Sequence, residues 1–592
     1  MVNPAAEEFL RERYLGPRED WKALCERVAT FLADDDDDRR KFFQMLYSCD
    51  ALPNSPTLMN SGTELGYLSA CNLVPVPDDL EGIMDAAKSS AMIQRNGGGV
   101  GFNFSELRPT NDRIRGTGGT SSGVISFMKL LDTVGQVIKQ GGKRRSANLG
   151  LLRYDHPDIL RWIHAKDKDG ELTAFNISVA ASDELFEKAE RGENVVFINP
   201  RNGRPFPAYD PIAMANRDSI PARELLDRIA KSMWKSGEPG IIYWDTLQRG
   251  NTTPFLGDIQ GLNPCGESPL YYWESCCLGS INLYNHLKQS GSGKRELDFE
   301  RLAETTRTMV RLLNSVIDKN KYPLPHMEKA AKHTRKIGIG VMGLADIFGA
   351  MGIRYGSNES MALAGEVMAA VSKAAREESA RLAEIHGPYP AWEKSNGQAP
   401  KLRNATLTSI APTGSISFIA GVSSGIEPFF KIGYMMNRED RNPIFVVAKS
   451  FHDDLREAGL EDTLTEIIKH DYTPLQMVRE GLLPESFAHY VTAGEVSPEE
   501  HVLMQAVFQE HVDLAISKTI NLPNRATVDD VKKIIYLAHT RGCKGLTVFR
   551  NGCERESFLS EFKCPHCGSD NVQHTESCIR CLDCGMSLCA VG

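Results

Sequence analysis

No run in this 592-residue sequence approaches the roughly 18 consecutive apolar residues that a bilayer-spanning helix needs, so a membrane-spanning protein is not expected. The opening residues, Met1 to Glu8, lack the basic and apolar regions of a secretion signal, and the expected location is the cytoplasm. A basic surplus is missing too. Lys and Arg number 68 against 77 Asp and Glu, a net charge of −9, which argues against a general binder of nucleic acid or anionic membrane. A single small phosphate site needs only a few donors and is not excluded. There is no internal repeat. With 41% apolar and 24% charged residues, the balance is that of a globular enzyme rather than a disordered or fibrous chain.

What is present is cysteine. Fourteen in a chain without an export signal point to reduced thiols, metal or redox chemistry rather than a disulfide framework. Residues 1–50 read as helical, with Trp21, Leu24, Val28 and Phe31 on one apolar face. The run Asp34 to Asp38 reads as a solvated loop between helices. Residues 51–553 alternate glycine-rich turns, strand-like runs (194–199, 240–243) and helical segments (221–235, 299–317, 360–386). That interleaving predicts an α/β architecture with largely parallel pairing. Residues 554–592 form a separate cysteine-rich module: Cys564 to Gly592 hold six of the fourteen cysteines.

In Asn263-Pro264-Cys265-Gly266-Glu267, alternate positions put an amide, a thiol and a carboxylate on one face of an extended segment. Pro264 and Gly266 favour a tight loop. One residue could react, one move a proton and one orient. On the pentapeptide alone, a buried structural turn is an equal reading. The surroundings add Ser69-Ala70-Cys71-Asn72-Leu73 and Glu274-Ser275-Cys276-Cys277-Leu278-Gly279-Ser280. Also present are a Pro-Asn-Ser-Pro-Thr run at 53–57 and a glycine cluster at 97–101. Arg115 to Gly123, Gly141 to Asn148, Ala411 to Ser417 and Cys543 to Arg550 complete the set.

In this order the motifs resemble the catalytic chains of ribonucleotide reductases, from about residue 50 to the C-terminus. The resemblance implies a ten-stranded α/β barrel with a central finger loop, a short helical N-terminal region and a zinc-ribbon-like tail. It assigns Cys265 as the thiyl radical, Glu267 as the group that takes the 3′-hydroxyl proton and Asn263 as the residue that orients the sugar. Cys71 and Cys276 would be the electron-donating pair, a fitting choice because dithiol oxidation is a reversible two-electron couple. Cys277 departs from the family pattern. The adjacent cysteines leave the partner of Cys71 open; spacing from Cys265 favours Cys276, with Cys277 a bystander. Ser55, Thr57, Ala70, Cys71 and Gly99 are expected to line the substrate site, with Pro412, Thr413, Gly414, Ser415 and Ile416 as the phosphate loop. Arg115, Lys143, Arg144, Arg145 and Asn148 fall in the two loops expected to bind a deoxynucleotide or ATP specificity effector across a homodimer.

Gly338-Ile339-Gly340-Val341-Met342-Gly343 fits a dinucleotide-binding fingerprint, but the preceding residues make no apolar strand, so it reads as a glycine-lined helix approach. Cys25, Cys49, Cys543 and Cys553 read as packing residues. The N-terminal region looks too short for an ATP-binding cone, so overall on/off control by ATP and dATP is not expected.

Three related classes differ in radical source. There is no Arg-Val-x-Gly-aromatic loop near the C-terminus, and Leu546 to Arg550 contains no tyrosine. The resemblance therefore points to the adenosylcobalamin-dependent class, whose cofactor makes the radical beside the cysteine. The alternative is a catalytic chain that depends on a separate radical-generating subunit. A more distant one is a zinc-ribbon nucleic-acid binder.

Cys564-Pro565-His566-Cys567 and Cys581-Leu582-Asp583-Cys584 are Cys-x-x-Cys knuckles with 13 residues between them, a strong signature for bound Zn2+. One partition takes Cys564, Cys567, Cys581 and Cys584 as ligands. Another replaces Cys584 with Cys578. Cys578, Cys584 and Cys589 are thus the candidates to relay electrons from a thioredoxin- or glutaredoxin-like reductant.

Overall fold

The computed structural model describes residues 6–553 except 115, 117, 139–145, 168–169, 292, 439–440, 465 and 468–471, together with three tail strands. For Cys276, residues 434–438 and 441–445 and the tail strands, only the backbone is described.

The first fifty residues form three helices, α1 (Glu7–Arg13), α2 (Trp21–Leu32) and α3 (Asp36–Tyr47). The acidic run at 34–38 is not the expected loop. The Asp35 side chain caps α3 by accepting from the Asp38 amide at 2.8 Å, and Asp36, Asp37 and Asp38 fill its first turn. Carboxylates there complement the unpaired amides and the positive end of the helix dipole.

Beyond them come β1 (Ala51–Pro53), α4 (Ser55–Asn60), β2 (Cys71–Val74), α5 (Leu80–Arg95), β3 (Gly99–Asn103), α6 (Val124–Val137), β4 (Asn148–Arg153), β5 (Phe175–Ala181), α7 (Ala222–Ser236) and β6 (Gly240–Tyr243). A two-residue hairpin, β7 (Gly261–Leu262) and β8 (Pro269–Leu270), precedes β9 (Ser275–Asn282), α8 (Phe299–Lys319) and β10 (Ile337–Met342). Then follow α9 (Leu344–Ala350), α10 (Asn358–His386), α11 (Gly414–Ala420), β11 (Thr519–Leu522), α12 (Val528–Thr540) and β12 (Gly545–Arg550).

Ten of these strands make one mixed sheet in the order β1-β9-β2-β3-β4-β5-β6-β12-β11, with β10 pairing β9. Strands β2 to β6 run parallel to one another, as interleaved helices require. Antiparallel joins fall at β1–β9, β9–β2 and β6–β12. Isolated bridges link Ile339 to Thr408 and Ile410 to Ile516.

Two large apolar clusters pack against the sheet. One joins α1–α3 to β9, β10, α8 and α10; the other joins β3–β6 to α5, α6, α7 and α12. Helix α8 shows how the sequence writes this. Leu302, Met309, Leu312, Leu313 and Val316 recur at helical spacing and are buried, and Asp298 caps the helix at the Arg301 amide.

Gly338 and Gly340 lie inside strand β10, not on a helix approach. The Ser409 carbonyl packs where a Cβ of Gly340 would be. A dinucleotide fingerprint needs its glycines after the strand, and here two of the three belong to it.

Candidate active site

The hairpin β7–β8 carries the residues between its arms, Asn263 to Ser268, across strand β3. What permits the crossing is glycine. A Cβ on Gly101 would lie 1.7 Å from the Leu262 carbonyl oxygen, and one on Gly99 would lie 2.7 Å from Pro264 Cγ. Inside the loop, Gly266 adopts a positive φ of 79° and donates its amide to the Asn263 carbonyl at 3.0 Å, while the Ser268 amide donates to Asn263 Oδ1 at 2.9 Å.

The loop brings three side chains together. Asn263 Nδ2 donates to Cys71 Sγ at 3.2 Å, and Cys71 Sγ donates to Glu267 Oε1 at 3.5 Å. All three residues are buried, and Glu267 Oε2 has no hydrogen-bond partner among the described residues. Burial pushes the Glu267 carboxyl above its ordinary range, against the lowering effect of the hydrogen bonds from Asn263, its own backbone and Cys71. Cys265, in contrast, is exposed into a cavity of about 310 Å³.

That cavity collects most of the residues expected to line it. Ser55, Ala70, Cys71, Gly99, Asn263, Cys265 and Glu267 are on its wall, together with Pro412, Thr413, Gly414, Ser415 and Ile416. The last five lead into α11, whose first-turn amides have no partner within the helix. Thr413 holds a φ of +55° and its hydroxyl accepts from the Gly425 amide at 2.8 Å, which fixes the loop. Thr57 is not on the wall. It is fully buried, donating to Asn54 Oδ1 and the Leu68 carbonyl, and Asn54 lines the cavity in its stead.

Cys71 and Cys276 are backbone register partners across the antiparallel β2–β9 pair. Cys277, one residue on, is buried in the helical core with its sulfur 3.5 Å from Ser69 Oγ; burial pushes its thiol up to about 11.

The chain matches the family model described as ribonucleotide reductase, barrel domain, over residues 69–549, and the all-alpha domain of the same enzymes over residues 2–66. It belongs to the ribonucleotide reductase family. It is 40% identical over 561 residues to the vitamin B12-dependent ribonucleoside-diphosphate reductase of Thermoplasma acidophilum, covering 93% of this chain and 71% of that one. Identity to the protein of the same description from Mycobacterium tuberculosis is 41% over 579 residues, covering 94% and 80%. Among solved structures, the Actinobacillus ureae class Id ribonucleotide reductase alpha subunit matches with a TM-score of 0.75 at 22% identity, covering 93% of this chain and 97% of that one. That last likeness concerns the fold alone. As a ribonucleotide reductase the chain is an oxidoreductase that acts on ribonucleotides.

Elsewhere in this reductase, Arg115, Lys143, Arg144 and Arg145 lie outside the described residues. Asn148 is buried at the start of β4, accepting from Gln94 Nε2 at 2.8 Å. The neighbouring Ala147 reaches the substrate cavity. In the tail, β13 (Val572–Thr575), β14 (Cys578–Cys581) and β15 (Ser587–Cys589) form a small antiparallel sheet in which Cys578 is the register partner of Cys589. Cys564, Cys567 and Cys584 lie outside the described residues, so the zinc assignment is not described.

Sequence reasoning missed Tyr14. Its hydroxyl lies 2.7 Å from Ser55 Oγ, which ties the N-terminal helices to the cavity wall. A tyrosine in a polar helical segment carries no local signal of that contact.

Proposed function

We propose that this chain reduces ribonucleotides to 2′-deoxyribonucleotides by a cysteine-radical mechanism with adenosylcobalamin as radical source, and that diphosphates are its substrates. The observation that carries the reading is the convergence of Cys265, Glu267, Asn263 and Cys71 on one cavity that the 412–416 loop also lines.

The Cys265 radical takes the 3′-hydrogen. Glu267, ionised, accepts the 3′-hydroxyl proton, a role for which a carboxyl raised toward neutrality is suited. The 2′-hydroxyl leaves as water on receiving a proton from the Cys71–Cys276 pair. The two thiols give up two electrons in all and end as a disulfide, their second hydrogen going to C2′; Glu267 returns its proton to the 3′ oxygen, and Cys265 returns hydrogen to C3′ and is a radical again. Asn263 orients the sugar, and the 412–416 loop holds the phosphates. The tail cysteines then reduce the disulfide by thiol exchange and are themselves reset by a thioredoxin- or glutaredoxin-like dithiol.

A second cavity of about 470 Å³ shares Gly414 with the first and is walled by Phe418, Val422, Phe429, Phe430 and Val447, with Phe549 at its edge. Those apolar side chains would hold the face of a large macrocycle beside the Cys265 cavity. Bound there, the cofactor would supply the one-electron oxidation of the Cys265 thiol through cobalt–carbon homolysis. The names of the relatives support this choice.

We further read the bridges at Ile339–Thr408 and Ile410–Ile516 as closing the ten-stranded sheet into a barrel. Zn2+ in the tail, specificity effectors at 112–122 and 141–148 and a cytoplasmic location belong to the same reading. So does a homodimer. Exposed Leu80 and Met84 on α5 and Val137 on α6 support it, because these helices pack side by side. No helix among the described residues is long and apolar enough to cross a membrane.

The deciding experiment is anaerobic incubation of the purified chain with each ribonucleotide, adenosylcobalamin and dithiothreitol, with no second protein. Deoxynucleotide supports the reading. Turnover that appears only after a second protein is added would replace cobalamin by a separate radical subunit.

A further inference from the structure

Close to the reacting cysteines lies a buried ion pair that the mechanism does not use. Lys336 Nζ meets Glu274 Oε2 at 2.8 Å, and both side chains are only 2% exposed. The same oxygen accepts from the Tyr271 amide at 2.7 Å, and Oε1 accepts from Thr334 Oγ1 at 2.5 Å. Lys336 Nζ also lies 3.5 Å from the Pro269 carbonyl and 4.4 Å above the Tyr271 ring. The backbone of Glu274 extends the junction, because its carbonyl accepts from the Leu73 amide at 3.2 Å.

Each of these partners is one step from the chemistry. Pro269 begins β8, two residues after Glu267. Leu73 is two residues after Cys71 on β2. Glu274 is two residues before Cys276, and Lys336 directly precedes β10, which pairs β9 from Cys277 onward. One ion pair thus ties the outgoing arm of the finger loop to the two strands that carry the cysteine pair. A buried ion pair adds little net stability over a well-packed apolar pair, but it demands one geometry.

We propose that Glu274 and Lys336 are positioning residues that hold the finger loop at a fixed offset from the Cys71 and Cys276 strands. In this role they set both the rate of the radical step and the ease with which the cysteine pair closes into a disulfide. The inference rests on the reductase reading above. A loop shifted by about 1 Å is enough to cost on the order of 100-fold in rate.

The test compares the full-length wild type with Glu274→Gln, the double variant Glu274→Gln/Lys336→Met and a control, Ile229→Ala, in the buried face of α7. Three quantities are read: melting temperature, single-turnover rate per folded chain from pre-reduced enzyme, and the dithiothreitol ratio that half-reduces the Cys71–Cys276 disulfide. The Gln variant is expected to slow single turnover at least tenfold with nucleotide KM changed less than twofold. Its disulfide should be reduced at a ratio at least tenfold milder, as for a misaligned bond. The double variant removes the lone buried charge, so its melting temperature recovers while its rate stays low. The control loses melting temperature but keeps its rate per folded chain. A Gln variant within twofold of wild type in both rate and half-reduction ratio would overturn the proposal. So would a double variant whose rate recovers together with its melting temperature. Absence of deoxynucleotide from the wild type itself would overturn the underlying reading instead.

Discussion

Cys71 and Cys276 occupy directly opposed positions on strands β2 and β9, in a ladder only two residue pairs long. Opposed residues in an antiparallel pair have Cα atoms about 4.5–5.5 Å apart, within the roughly 4.4–6.8 Å that a disulfide spans. The backbone register therefore supports Cys276 rather than Cys277 as the proposed partner of Cys71. Cys71→Ser or Cys276→Ser should abolish repeated turnover with any dithiol. Cys277→Ala should keep it, with a stability loss of about 1–2 kcal/mol from the emptied site. Counting deoxynucleotide per chain, together with thiols lost in a single turnover, decides between the two partners.

The raised Glu267 carboxyl makes an acid–base prediction of definite sign. Proton acceptance needs the ionised form, so kcat should fall as pH drops through a value above the ordinary carboxylate range. Stability runs the other way. Below the unfolded-state pKa both states hold the proton and the burial costs nothing. Between that value and the higher folded one, only the unfolded chain ionises, so stability declines as pH rises. Glu267→Gln should therefore lower kcat by about 10²–10⁴-fold while raising the melting temperature at pH 7 and leaving it unchanged near pH 4. Paired thermal melts at the two pH values check this; a loss of stability at pH 7 would contradict the burial argument.

Much of the proposed site was legible in the sequence because its residues lie in short contiguous motifs that resemble those of ribonucleotide reductases. Asn263, Cys265 and Glu267 lie within five residues, and the phosphate loop is one continuous segment. What the sequence left open depends on contacts between distant segments. Thr57 and Asn54 are three residues apart, both polar and both donors to the Leu68 carbonyl; only the folded chain shows that Thr57 is fully buried while Asn54 lines the cavity. Asp35 looked like part of a solvated run because five acidic residues hide the one that caps a helix. The glycines of β10 mimic a nucleotide fingerprint because a strand crowded by the Ser409 backbone also needs small residues.

The crossing of β7 over β3 predicts the effect of a single methyl group. Gly101→Ala puts a carbon 1.7 Å from the Leu262 carbonyl, an overlap of backbone with no side chain able to yield. The loop must lift, at a cost of about 1–3 kcal/mol, and deoxynucleotide formation should fall at least tenfold. Gly494→Ala, where nothing lies within 4 Å of the added carbon, should leave both stability and activity unchanged. Parallel melts and turnover assays separate the two.

The tail offers a test that divides metal binding from catalysis. If Cys564 and Cys567 hold Zn2+ and the remaining tail thiols relay electrons, the two reductants should respond differently to their loss. Dithiothreitol is small enough to reach the Cys71–Cys276 disulfide through the open cavity, whereas a folded dithiol protein must work through the tail. Cys564→Ser/Cys567→Ser should therefore lose its zinc, measured per chain by atomic absorption. It should keep most of its turnover with dithiothreitol and lose most of it with a thioredoxin-like protein. Cys589→Ser should keep zinc yet show the same split, because its backbone partner Cys578 is left without a thiol opposite. Equal activity of both variants with both reductants would mean that the tail carries no electrons, and the protein reductant would then have to reach the barrel directly.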